Sequence, residues 1–92
     1  MNNQKIESLA KKIKAIANEK RLKILYYIID NELSVGEIEK KVDLSQSALS
    51  QHLAVLRQEN IVKTRRNAQT IYYGINDKKI KQILELMNKL YL

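Results

Sequence analysis

Cysteine is absent from the 92 residues, which rules out disulfides, thiolate metal sites and thiol redox sensing within the chain. Proline is absent as well, and the two glycines, Gly36 and Gly74, are too few to mark a linker or a domain boundary. Long apolar runs are missing: the longest, Ile24 to Ile29, ends at Asp30 after six residues. A bilayer span needs roughly 18. The opening MNNQKIESLAKK has no apolar signal core, so a cytoplasmic protein is expected. Histidine occurs once, there is no phosphate-cradling Gly loop, and no paired carboxylates stand out, so no enzyme is expected.

What is present points to one small domain. Hydrophobic residues make up 45% of the chain and charged residues 29%, a balance that suits a compact, helix-rich fold. A chain of this length buries only about 60–65% of its unfolded surface, so its core is small. Seventeen Lys and Arg against ten Asp and Glu leave a net charge of +7, a field that attracts polyanions. Nucleic acid and anionic membrane are the candidates. The basic segments form a hairpin and mixed-charge helices, not one cationic amphipathic helix, so no membrane partner is expected.

Apolar periodicity sets the element order. Ile6, Leu9, Ala10, Ile13, Ile16 and Ala17 recur at three- and four-residue steps and predict a first helix, about 3–17. Asn18 ends it and caps a second helix, roughly Glu19 to Asn31, with Leu22, Leu25, Ile28 and Ile29 on its buried side. Ser34 with Glu37 forms a capping box, and Leu33 with Ile38 a hydrophobic staple, so a short third helix runs to about Val42. Asp43 and Leu44 turn the chain into a fourth helix, capped by Ser45 and reaching about Glu59. IVKTRR and QTIYYGI, separated by Asn67 and Ala68, read as a two-stranded hairpin with a basic tip, where Asn67 can tolerate a left-handed turn conformation. A last helix starts near Asn76 or Asp77 and carries Ile80, Ile83, Leu84, Met87, Leu90 and Tyr91. The order is α-α-α-α-β-β-α, mainly α with a small β-hairpin.

The stretch from about 34 to 59 fits a helix-turn-helix, whose second helix enters the major groove while the first braces it. On that second helix Leu49, Leu53 and Leu56 point one way; Ser47, Gln51, Ala54 and Gln58 point the other, flanked by Ser50 and Arg57. Short side chains allow close approach to base edges, Gln pairs bidentately with adenine, and Ser bonds at either kind of pair. Ser45, Gln46, Ser47, Ser50, Gln51 and Arg57 are therefore the candidate base-reading set. A solvated surface helix has the same polar face, so the hairpin matters. Lys63, Arg65 and Arg66, with Gln69 and Thr70, gather there as a candidate phosphate or minor-groove contact within a wing at about 61–75.

These residues carry a resemblance. LSVGEIEKKVDLSQSALSQHLAVLRQENIVKTRRNAQTIYYGI is similar to the ArsR/SmtB family of winged helix-turn-helix repressors, and SQSALSQHLAVLR and QTIYY resemble its HlyU/BigR branch in particular. The resemblance implies a homodimer joined by the first and last helices, about 3–17 and 77–91, reading a near-palindromic double-stranded operator. Ile6, Leu9, Ile13, Ile16, Ile80, Ile83, Leu84, Met87, Leu90 and Tyr91 are the candidate interface. The alternative is that both stripes only roof the protomer's own core.

The sensor sites that the resemblance brings with it do not match. The metal-sensing thiolate site needs Cys in or near the third helix. A second site type needs His where Lys79 and Leu90 stand, leaving only Asp77, which more simply caps its helix. The branch's cysteine pair aligns with Glu39 and Leu92. No metal and no cofactor are therefore expected, and an effector, if any, is unknown. His52 falls at the margin of the apolar face and suits a hydrogen-bonded packing role, and the five tyrosines suit core and interface. A second reading of function is an anti-repressor that binds another regulator or displaces it from shared DNA.

Overall fold

The computed structural model describes residues 2–92, in the order α1 (Asn3–Ile16), α2 (Glu19–Ile28), β1 (Leu33–Ser34), α3 (Val35–Lys41), α4 (Gln46–Gln58), β2 (Val62–Asn67), β3 (Thr70–Ile75) and α5 (Lys78–Tyr91). Side-chain caps start every helix. Asn2, Asn18, Ser34, Ser45 and Asp77 each accept from backbone N–H groups that the first turn leaves free. At Ser34 the capping box is complete: its hydroxyl accepts from the Glu37 N–H at 3.1 Å, and the Glu37 carboxylate accepts from the Ser34 N–H at 2.8 Å. That backbone bond, with the Ser34 hydroxyl second, holds the Glu37 carboxyl below its ordinary pKa.

Two expectations about strands need correction. The sheet has three strands, not two, in the order β1-β3-β2, because Leu33 and Ser34 pair with Tyr73 and Tyr72. A two-residue strand joined to a partner some forty positions away has no local periodicity to announce it. To reach this pairing the chain leaves α2 at Ile28, three residues before the expected Asn31. The hairpin turn is also displaced by one residue. Asn67 pairs with Thr70, so Ala68 and Gln69 form the loop, and the left-handed position belongs to Ala68 (φ 58°), not to Asn67. A positive φ at only the first of two loop residues is the pattern of a type II′ turn, which matches strand twist but favours glycine.

The core gathers Ile24, Leu25 and Ile28 of α2, Ile38 of α3, Leu49, Leu53 and Leu56 of α4, Tyr73 of β3, and Ile80 and Leu84 of α5. It is built mainly on α2 and α4. The apolar stripes of the terminal helices divide around it. Ile16, Ile80 and Leu84 lie in the protomer's own core, which corrects their place in the candidate dimer interface, and Met87 is half-buried. Ile6, Leu9 and Ile13 remain 45–54% exposed on α1, and Ile83, Leu86 and Leu90 remain 44–65% exposed on α5. Helical spacing explains the split: on α5, Ile80, Leu84 and Met87 share one face, and Ile83, Leu86 and Leu90 the next.

Candidate nucleic-acid interface

Helix α4 is seated from behind by Leu49, Leu53 and Leu56, all nearly or wholly buried. With that face fixed, Gln46, Ser47, Ser50, Gln51, Arg57 and Gln58 are left exposed, while Ala54 is half-buried. Both ends are defined. Ser45 is itself exposed and its hydroxyl accepts from the Ala48 N–H at 3.1 Å. At the other end Asn60 adopts φ 57°, and the Ile61 and Asn60 N–H groups donate back to the Leu56 and Arg57 carbonyls at 3.0 and 2.9 Å. This is a Schellman stop, with Leu56 and Ile61 both buried in the core. Asn following Glu59 was its signal in the sequence.

The wing candidates do not gather at one place. Strand alternation puts Val62, Thr64 and Arg66 on the face of buried Tyr73, and Lys63, Arg65 and Asn67 on the opposite face with Tyr72 and Gly74. Arg66, Gln69 and Thr70 form the exposed tip. Lys63, four residues back from Asn67, lies about 13 Å down the strand and is at the base, not the tip. There it flanks Gly74, where an added Cβ would come 3.2 Å from Glu32 Cγ. Arg65 is engaged: its Nε donates to Glu32 Oε2 at 2.9 Å, and its guanidinium stacks 4.5 Å from the Tyr72 ring centroid. Both partners are substantially exposed, so this pair contributes under about 1 kcal/mol. Phosphate can compete for Arg65.

Two side chains join these parts: Arg57, expected only among the base readers, and His52, which has the hydrogen-bonded packing role expected of it. Arg57 Nη1 donates to the Tyr73 hydroxyl, tying the end of α4 to the wing's central strand. His52 Nδ1 lies 3.2 Å from Arg21 Nη1, and burial, then the charges of Arg21 and Lys20, lower its pKa below the ordinary 6.5. Of the residues aligned with sensor ligands, Asp77 caps α5 through the Lys79 N–H at 2.6 Å, Glu39 is half-buried on α3, and Leu92 is exposed. Among the described residues no three His, Cys, Asp or Glu stand close enough to hold a metal ion. No helix among them is long and apolar enough to cross a membrane.

A short bracing helix, a steeply joined helix with a Ser/Gln face and a basic hairpin beside it define a winged helix-turn-helix DNA-binding regulator. Residues 18–64 match the family described as bacterial regulatory protein, arsR family. The transcriptional activator HlyU of Vibrio cholerae is 50% identical over 95 residues, spanning 99% of this chain and 88% of that one. A solved structure of HlyU from Vibrio cholerae matches with a TM-score of 0.91 at 47% identity, covering 98% of each chain. The biofilm growth-associated repressor of Xylella fastidiosa is 36% identical over 88 residues, 96% of this chain and 75% of that one. A homodimeric winged helix-turn-helix DNA-binding domain from Mycobacterium bovis matches with a TM-score of 0.87 at 25% identity, covering 98% of this chain and 86% of that one. This chain belongs to the ArsR family of bacterial transcriptional regulators, and it is a DNA-binding regulator and not an enzyme.

Proposed function

We propose that two copies join through the outward stripes of α1 and α5 and present their α4 helices to successive major grooves of a near-palindromic operator, roughly 34 Å apart. The observation that carries this reading is the pair of exposed apolar stripes, Ile6, Leu9 and Ile13 on α1 and Ile83, Leu86 and Leu90 on α5, at matching 3-and-4 spacing. So much apolar surface on a 92-residue chain calls for a partner, and a second copy supplies the same stripes by symmetry. Gln46, Ser47, Ser50 and Gln51 read base edges, Ser45 seats the helix end, and Arg66, Gln69 and Thr70 meet phosphate or the minor groove, joined by Arg65 when it leaves Glu32. The protein acts in the cytoplasm, by occupying its operator as a repressor.

The test selects preferred duplexes from a genomic fragment library with purified protein, beside sedimentation. A dimer with a preferred palindrome supports the reading; a strict monomer with no preference among duplexes ends it. Replacing Gln46 and Ser47 together by Ala is expected to weaken specific binding and leave salt-sensitive non-specific affinity nearly intact. A second reading, in which the protein displaces another repressor from shared DNA, draws support from the activator name of HlyU. Transcription from the bound promoter separates the two: it falls with repression and rises with displacement.

A further inference from the structure

Arg21 occupies the first turn of α2, where a cation opposes the helix dipole. Its guanidinium serves other helices. Nε donates to the Ala15 carbonyl at 2.5 Å and Nη2 to the Lys14 carbonyl at 3.3 Å, two carbonyls that the C-terminus of α1 leaves without helical partners. The third arm, Nη1, meets His52 Nδ1 at 3.2 Å, midway along α4. A guanidinium has donors only, so Nδ1 accepts and the ring proton sits on Nε2. Lys12 makes a parallel tie from α1, its Nζ donating to the Glu59 carbonyl at the end of α4 at 2.9 Å. From the same α2, the Tyr26 hydroxyl donates to the Leu84 carbonyl of α5 at 2.8 Å. Helix α2 thus holds both terminal helices and passes one of them, through a single side chain, to the reading helix.

We propose that Arg21 is a positioning residue for sequence reading: it locks the end of α1 to His52, so that the dimer sets the angle at which Ser47, Ser50 and Gln51 meet the bases. This rests on the dimeric reading above. Arg is suited to the task because its planar fork satisfies carbonyls and a ring nitrogen together, which an ammonium cannot do from one point. The ring must be neutral to accept. Among the described residues the charges that bear on it are Arg21 and Lys20, both cations, so protonation replaces an acceptor with a third positive charge and opens the junction.

The cysteine-free chain allows a clean test on the intact 92-residue chain. A spin label on Gln58→Cys, at the exposed end of α4, reports the distance between the two reading helices without DNA. A duplex selected by the wild type and a random duplex report specificity. Arg21→Lys, which keeps the charge, is expected to broaden the label distance and cut the preference for the selected duplex about tenfold, with random-duplex affinity unchanged. His52→Leu should do the same. His52→Asn, which keeps an acceptor near Nδ1, should retain the wild-type preference and abolish its decline as pH falls through the ring's lowered pKa. If Arg21→Lys and His52→Leu melt cooperatively yet keep the wild-type distance and preference, the inference is overturned and Arg21 only caps α1. Should Arg21→Lys not fold, His52→Leu decides alone. A wild type that shows no distance between protomers, or no preferred duplex, overturns the dimeric reading itself and this inference with it.

Discussion

Helix α4 and the wing adjoin in the chain, yet they are held in opposite ways. The helix is fixed from behind by three leucines, started by Ser45, stopped by Asn60, and tied laterally through His52 and Arg57. The wing is held along its base at Val62 and Tyr73, and every residue from Lys63 to Thr70 is exposed. Base reading needs side chains held in one geometry; phosphate contact tolerates slack and needs charge. On the proposed reading, specificity therefore falls to the helix and salt-dependent affinity to the tip.

The largest expected effect breaks the helix side of that contrast. Leu53→Ala removes a 3%-exposed side chain from the centre of the seat and is expected to cost about 2–5 kcal/mol in denaturant unfolding. A loss under 1 kcal/mol would mean that α4 is not held by its core face. Ser45→Ala, which frees the Ala48 N–H, should cost about 1 kcal/mol and lower binding to a preferred duplex more than to a random one. On the wing side, Arg66→Ala should leave stability within about 0.5 kcal/mol while flattening the salt dependence of DNA affinity by about one unit of slope. An unchanged slope removes the tip from the contact surface. Ala68→Gly relieves a positive φ at some entropic cost and is expected to raise stability by about 0.5 kcal/mol, read as a small rise in melting temperature.

The smallest effect is in acid. The folded His52 has a lowered pKa, so as pH falls the unfolded chain takes up the proton first; the stability this ring contributes is full above 6.5 and is lost from there down to the folded value. Glu37, likewise lowered, loses its contribution below 4.5. Melting temperature followed against pH should therefore fall in two shallow steps, the first missing in His52→Asn and the second in Glu37→Gln.

Much of the fold was legible because its signals are local. Caps at Asn18, Ser34 and Ser45 sit beside the helices they start, and the apolar period of each helix is written within one or two turns. The candidate reading face followed from the leucine spacing alone, and its members are exposed except for Ala54. The wing was legible in kind and blurred in detail. IVKTRR announces a basic strand, but its partners depend on the turn: read at Asn67 and Ala68, Arg65 would stand opposite Thr70, whereas the turn at Ala68 and Gln69 sets it opposite Tyr72. Lys63 and Arg66, alike in a list of charges, end up at opposite ends and on opposite faces of the hairpin.

By itself the sequence determined the helix order, the charge, the absence of thiol chemistry and the helix-turn-helix segment, since each depends on residues a few positions apart. Only the tertiary structure decided that Leu33 and Ser34 form a strand, that Ile16, Ile80 and Leu84 turn inward while Ile13, Ile83 and Leu90 stay outside, and that Arg21 bridges α1 to His52. Those outcomes depend on contacts between elements distant along the chain, and a pattern of apolar positions shows that a face must be covered without showing what covers it.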